Sequence, residues 1–451
     1  MLIMGLYVII IAYLTWDLRQ VEGMYPPFMP EVAALDNGGG PLTGRQVFLE
    51  RAKAVASDGA RHEHFGRSID IDGDTTVVGA PLAFPLSQGA AYVFTWSGNS
   101  WTQQAKLTGD NLDVSYLFGQ SVAIEGDTIV VGALNGAGEA YVFTRSNDIW
   151  TQQSRLTADD GAYQDRFGTS VAIDGDTVIV GASFATVDAN YAQGAAYVFT
   201  RSGNNWTQQV KLTADDGIES EHFGGSVAID GDTAIVGAHL ADVGANSGQG
   251  AVYVFTRSGS NWTQQAKLIA ADGAASDRFG NSIAIYGDTI IVGATDADVG
   301  GIIDAGAAYI FTGSGSNWTQ QAKLTPAGRD AFGLSVDIEG DTVIVGAPDT
   351  DIGCITYLGG IEGTAHIFTR SGNSWTPQNT LVASDRMVDL DPVFGSSVAL
   401  SGNMAVVGTI YADVAGNEDQ GAAYLYERTY FNDSIYLPLT IGTSFFCPDE
   451  E

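Results

Sequence analysis

The residues of this chain best equipped for chemistry are carboxylates set close together. Asp296 and Asp298 stand two apart, as do Asp349 and Asp351, while Asp159 with Asp160 and Asp215 with Asp216 are adjacent. Such pairs, helped by backbone carbonyls of the same loop, suit calcium, which takes roughly six to eight oxygen ligands. The competing reading is that aspartate serves turns by hydrogen bonding their backbone. His62-Glu63-His64 has ligand types for a metal, yet two ligands at that spacing on one loop leave a site incomplete. No Ser-His-Asp or Cys-His arrangement can be assembled, and no nucleotide-binding glycine fingerprint is present. Six of the eight tryptophans, Trp101, Trp150, Trp206, Trp262, Trp318 and Trp375, open the same kind of segment, which reads as packing rather than as a platform for sugars.

The balance of charge narrows the partners. With 53 acidic and 20 basic residues the formal net charge is −33. Nucleic acid and anionic lipid surfaces need Lys and Arg to displace counterions, so both are disfavoured. A basic partner, a cation, or simple solubility fits better. Apolar residues make up 45% of the chain and charged ones 16%, and 57 glycines accompany many Val, Ile, Tyr and Phe, a composition for many strands and tight turns. Cys354 and Cys447 are too few for a disulfide framework or a zinc site, and one bridge between them is the only pairing they allow. Residues 2–16 are almost wholly apolar, so 1–18 reads as an export signal or a short membrane anchor. The Pro- and Gly-rich stretch 19–45 reads as a linker.

What must position the carboxylates is a repeat. Phe-Gly pairs begin at Phe65, Phe118, Phe167, Phe223, Phe279, Phe332 and Phe394, in steps of 53, 49, 56, 56, 53 and 62 residues, and a Ser follows each Phe at plus three. Self-similarity at this period signals a repeat architecture. In the third repeat, Ser170-Val171-Ala172-Ile173 and Thr177-Val178-Ile179-Val180 flank an Asp-Gly turn, which predicts a hairpin. Ala195–Thr200 reads as a third strand and Trp206–Leu212 as a fourth, with exposed Gln and Lys suited to an outer edge. The last repeat lacks a fourth strand, and the chain opens near Gln46 with one. Seven four-stranded units, the last completed by the N-terminal strand, predict an all-β, seven-bladed propeller over residues 46–428, with a tail at 429–451.

Phe-Gly-x-Ser followed by an apolar hairpin ending in Gly-Ala or Gly-Ala-Pro (Gly79-Ala80-Pro81, Gly346-Ala347-Pro348) resembles the FG-GAP repeat of integrin α-subunit propellers and their bacterial relatives. The resemblance runs from Gln46 to Arg428. It implies adhesion or protein recognition at a cell surface, and calcium held in an Asp-x-Asn/Asp-x-Asp-Gly loop between the first two strands. Here that loop is only Asp-Gly-Asp, which offers too few oxygens.

Strand parity sorts the loops onto two faces. The first-to-second and third-to-fourth hairpins share one face, and the second-to-third loops and blade-to-blade connections share the other. Length variation falls on the second face, from 9 residues between Gly132 and Tyr141 to 20 between Gly346 and His366, and more than half of the 53 acids lie there. Insertions confined to one face often mark the binding face. The sequence therefore predicts a monomeric, non-enzymatic, extracytoplasmic module that binds a protein or glycan through Asp159, Asp160, Asp215, Asp216, Asp349, Asp351, Tyr357 and Glu362. The alternatives are an enzyme using the mouth of the central channel and a structural component of a cell envelope.

Overall fold

The computed structural model describes residues 34–35, 46–83, 88–98, 100–110, 116–325, 330–348, 363–385 and 393–430. Asp349, Asp351, Cys354, Tyr357, Glu362 and Cys447 lie outside them, as do the 1–18 segment and nearly all of the 19–45 and 429–451 stretches. Seven four-stranded antiparallel sheets form a ring. In the third blade the strands are Phe167–Asp174, Thr177–Ala182, Ala195–Ser202 and Asn205–Leu212, paired in that order. The Asp174–Thr177 pairing leaves Gly175 and Asp176 as the turn, and Gly175 takes the left-handed backbone such a turn needs, with φ 56°. The second strand is buried along its whole length, as a near-continuous apolar run covered on both faces should be.

The seventh blade joins Ser397–Ser401, Met404–Thr409 and Ala422–Tyr430 to the N-terminal strand Gln46–Ala54. Gln46 pairs with Tyr430 and Ala54 with Ala423, so the strand Gln46–Ala54 closes the last sheet, as the repeat bookkeeping predicts. The short strand Ala34–Leu35 adds a fifth member to the sixth blade, outside Ser374–Leu381.

The Phe-Gly-x-Ser motif is a clasp between blades. Each Phe is buried, and its ring packs against the third strand of its own blade, Phe167 lying 5.6 Å from Tyr197 and 5.9 Å from Phe199. The Phe167 N–H donates to Ala137 O of the preceding blade at 2.9 Å, and the Phe65 N–H donates to Gln420 O, which joins blade 7 to blade 1. The Ser at plus three donates its hydroxyl to the Gly carbonyl of the next blade in all seven cases, from Ser68 to Gly119 O at 3.0 Å round to Ser397 to Gly66 O at 2.7 Å. The invariant second glycine belongs to the same contact. A Cβ on Gly181 would strike the Gly224 carbonyl and the Ser170 hydroxyl.

Candidate functional site

The two faces of the ring use their polar groups differently. On the hairpin face the acids hold the ring together. Asp72 accepts the Gly126 N–H of the next blade at 2.6 Å, and Glu125, Asp174, Asp230 and Glu339 accept the equivalent Gly175, Gly231, Gly287 and Gly402 N–H groups. The second acid of the Asp-Gly-Asp turn binds an arginine. Asp176 accepts from Arg201 Nε at 2.6 Å, and the same guanidinium reaches Thr128 of the preceding blade at 3.1 Å. Asp127 with Arg145, Asp232 with Arg257 and Asp341 with Arg370 repeat the pattern. The shortened loop is thus a structural lashing between blades. Tryptophan adds another tie: Trp206 Nε1–H donates to Gln153 of the neighbouring blade at 2.9 Å, in keeping with packing rather than sugar stacking.

On the variable face the adjacent aspartates separate into two roles. Asp160 accepts from the Tyr197 hydroxyl at 2.9 Å and from Lys211 Nζ at 2.7 Å, both on the next blade. Asp216 does the same with Tyr253 and Lys267, and Asp58, Asp272 and Asp385 hold Lys106, Lys323 and Lys53. Burial pushes these five carboxyls up, but the lysine hydrogen bonds, joined by a tyrosine hydroxyl at Asp58, Asp160, Asp216 and Asp385, outweigh it and hold all five below the usual carboxylate range. Asp159 and Asp215 are exposed, and only their backbone N–H groups are held, by Gln208 and Gln264. Asp296 pairs with Arg278 at 3.0 Å, and Asp298 accepts the Asp304 N–H at 3.0 Å, which closes its own loop. Asp242 and Asp413 do this in the equivalent loops of blades 4 and 7, so the shared geometry is that of a turn-forming aspartate.

The loops themselves are anchored. Asn190, Asn246 and Asn417 each donate to a Gln of their own loop and to the carbonyl of Gly217, Gly273 or Gly59 in the next connection. Fixed on this base, large side chains face solvent: Tyr163 is 77% exposed, Ile303 67% and Tyr191 55%, with Ile218, Ile302 and Tyr411 also exposed. The sequence reading weighed acids on this face and missed these anchors. Their signal was available as apolar residues inside segments otherwise built of Asp, Gly, Ala and Asn.

His62 does gain companions, though not His64. Its Nδ1 lies 2.8 Å from Asp419 Oδ2, and with Glu418 the three ligand atoms fall within 4.8 Å of one another. Arg61 already binds Glu418, so the cluster is internally paired. His64 instead meets the Tyr411 ring edge-on at 5.1 Å.

The first strands of successive blades touch one another around the axis and line a channel of about 250 Å³. Ala123, Ala172, Ala228, Ala284 and Ala399 share one level with Asp70 and Asp337, which are the two titratable groups of the lining. Asp70 accepts the Ile71 and Ile124 N–H groups, and Asp337 accepts those of Ile338 and Leu400, so each also staples its blade to the next.

Seven blades of four strands, clasped through Phe-Gly-x-Ser and closed by the N-terminal strand, define a seven-bladed β-propeller. The family model described as "FG-GAP repeat" matches residues 48–94, 101–143, 150–199, 206–255, 262–311, 318–368 and 375–426, and the chain belongs to that family. Among solved structures, a chain from "Crystal Structure of Mitotic Checkpoint Complex" is similar in fold, with a TM-score of 0.51 and 14% sequence identity over 90% of this chain and 99% of that one. A search of curated proteins gave no match. The family and the fold make this chain a binding or structural module.

Proposed function

We propose that the ring is a non-enzymatic binding module that works outside the cytoplasm and recognises a protein or glycan through its variable face. The observation that carries this reading is the set of exposed anchors, Tyr163, Tyr191, Tyr411, Ile218, Ile302 and Ile303, raised on loops tied to the neighbouring connections. Aromatic and aliphatic side chains fixed on a rigid scaffold supply the buried centre of an interface, and the surrounding acids select a partner with a basic rim. Asp159 and Asp215 belong to that rim, and we propose Asp349, Asp351, Tyr357 and Glu362 of the longest insertion, which lie outside the described residues, as further contacts of the partner. Asp160 and Asp216 are already engaged by Tyr and Lys, so they shape the face rather than contact the partner. On the hairpin face Asp72, Glu125, Asp174, Asp230 and Glu339 are engaged by the neighbouring blade and Asp176 by Arg201, while Ile149 and Tyr286 are exposed there and make that face the control.

The test is a protein and glycan array probed with the purified ring, followed by Tyr163→Ser with Tyr191→Ser and, separately, Tyr286→Ser with Asp288→Lys on the hairpin face. Loss of binding in the first pair with retention in the second is expected. The opposite pattern would put the working face on the other side of the disc.

A further inference from the structure

On the variable face, the residue before each Phe-Gly pair turns the chain from the connection into the innermost strand. All seven are left-handed and none is glycine: His64, Leu117, Arg166, His222, Arg278, Ala331 and Val393 have φ between 44° and 57°. That backbone costs a non-glycine residue roughly 1 kcal/mol or more, and the surrounding ring holds it in place. In blades 3 to 5 these positions carry Arg166, His222 and Arg278.

Two of them join a continuous stack. The Arg166 guanidinium lies 4.0 Å from the centroid of the Phe184 ring. His222 packs on Phe184 at 4.3 Å with the planes 36° apart, and His239 meets His222 at 5.5 Å. All four side chains remain in contact with solvent.

The electrostatics of this stack run against the rest of the molecule. Nearly every described Lys and Arg is paired with a carboxylate. Among the described residues, Arg67, Arg166 and Arg428 are not, and Arg428 is taken up by Thr342 and the Phe48 ring. The other two guanidinium groups without a carboxylate, Arg67 and Arg166, therefore both stand beside Phe-Gly pairs, at Phe65-Gly66 and Phe167-Gly168. Burial lowers the pKa of His222, helped by Arg166, and lowers that of His239 to about 4, helped by His222 and Arg278. The charges that lower the two imidazoles, Arg166, His222 and Arg278, are cationic, and Arg278 is bonded to Asp296. The acids next in the chain, Asp165, Glu221 and Asp277, are buried and accept the Ala162, Ile218 and Ala274 N–H groups.

We propose that the Arg166–Phe184–His222–His239 stack on the variable face binds a carboxylate, either of a free organic acid or of an acidic sugar. Arg166 offers the planar fork that matches a carboxylate, the imidazoles add N–H donors, and Phe184 flanks the apolar body of the ligand. The bound anion supplies the negative charge that the histidines lack, so binding draws protons onto them and tightens as pH falls. The inference is independent of the partner on the outer loops.

Citrate and D-glucuronate are the probes, with sodium chloride at matched ionic strength as the control. The imidazole ¹H–¹⁵N resonances of His222 and His239 are followed by NMR, and affinity is measured by calorimetry at pH 5.5 and 7.5. Saturable shifts toward the protonated state are expected, with tighter binding at the lower pH. Arg166→Gln is expected to weaken binding about tenfold or more, the size of a lost charge-assisted hydrogen bond. Arg155→Gln, whose side chain is paired with Glu139, should leave it unchanged. His222→Gln is the second variant, and circular dichroism checks the fold of each. A response to citrate alone assigns the site to free organic acids, and a response to glucuronate alone assigns it to acidic sugars. No saturable shift with either, or equal shifts in Arg166→Gln and the unaltered protein, overturns the proposal.

Discussion

Replacing Asp70 and Asp337 together by alanine, the residue that the other five blades carry at this level, should change how stability responds to pH. Burial pushes the Asp70 carboxyl up to about 8 and the Asp337 carboxyl up to about 7, against backbone hydrogen bonds that pull both down. The folded ring therefore keeps both protons to near-neutral pH, while the unfolded chain releases them near the ordinary aspartate value of 3.8. With more protons bound in the folded state, stability falls as pH rises from about 4 to about 8, by at most ~1.4 kcal/mol per pH unit and group. Between pH 5 and pH 8 that bounds the loss at about 7 kcal/mol for the pair. Both side chains are partly open to the channel lumen, where water screens them, so roughly 2–4 kcal/mol is the expected size. At pH 5 the alanine variant should be the less stable, by about 1–3 kcal/mol for each staple whose backbone donors lose their acceptor. The gap between its profile and that of the unaltered ring should then narrow as pH rises and close near pH 8, since every other titrating group is common to both proteins. Urea midpoints followed by tryptophan fluorescence at four pH values provide the measurement. Parallel profiles for the two proteins would refute the assignment of the pH response to these carboxyls.

Two further outcomes test the ring itself. Deleting Gln46–Ala54 strips the seventh blade of its outer strand, including the buried Val47, Phe48 and Leu49, and should lower the melting temperature by about 10 °C or more; an unchanged melting curve would mean that this strand does not close the ring. Gly181→Ala drives a methyl group into the Gly224 carbonyl and should cost about 3 kcal/mol or more, whereas Gly203→Asn, at an open turn with φ 63°, should stay within about 1 kcal/mol, and equal effects in unfolding titrations would dismiss the clasp.

The spacing of Phe-Gly pairs made the blade count and the closing strand legible, because each blade is a local unit whose four strands follow one another in sequence. The face carrying length variation was legible for the same reason. What spacing could not show is which side chains neighbouring blades bring together. Asp160 meets Tyr197 and Lys211, 37 and 51 residues further on, so a residue that reads as a free carboxylate is in fact spent. Asp174 looks like part of a turn, yet its pairing with Thr177 frees its carboxylate to reach the next blade. His62 finds Asp419 only because the ring closes, 357 residues apart in the chain. Arg166 and His222 gave no uniform signal, since the same left-handed position alternates between His or Arg in four blades and Leu, Ala or Val in the other three, and their partners Phe184 and His239 lie on other loops.

The pairing of Gln46 with Tyr430 gives the ring a mechanical direction. Because the two strands run antiparallel, the points where the chain enters and leaves the ring lie side by side at one end of the same ladder. A load applied between residues 46 and 430 would peel that ladder open one hydrogen bond at a time, instead of straining all of its bonds at once. The other six sheets each draw their four blade strands from one continuous stretch and carry none of this load until the seam has parted. Tension between those two points therefore opens the disc at blade 7, and the Ser397 and Phe65 links to its neighbour set how far the opening spreads.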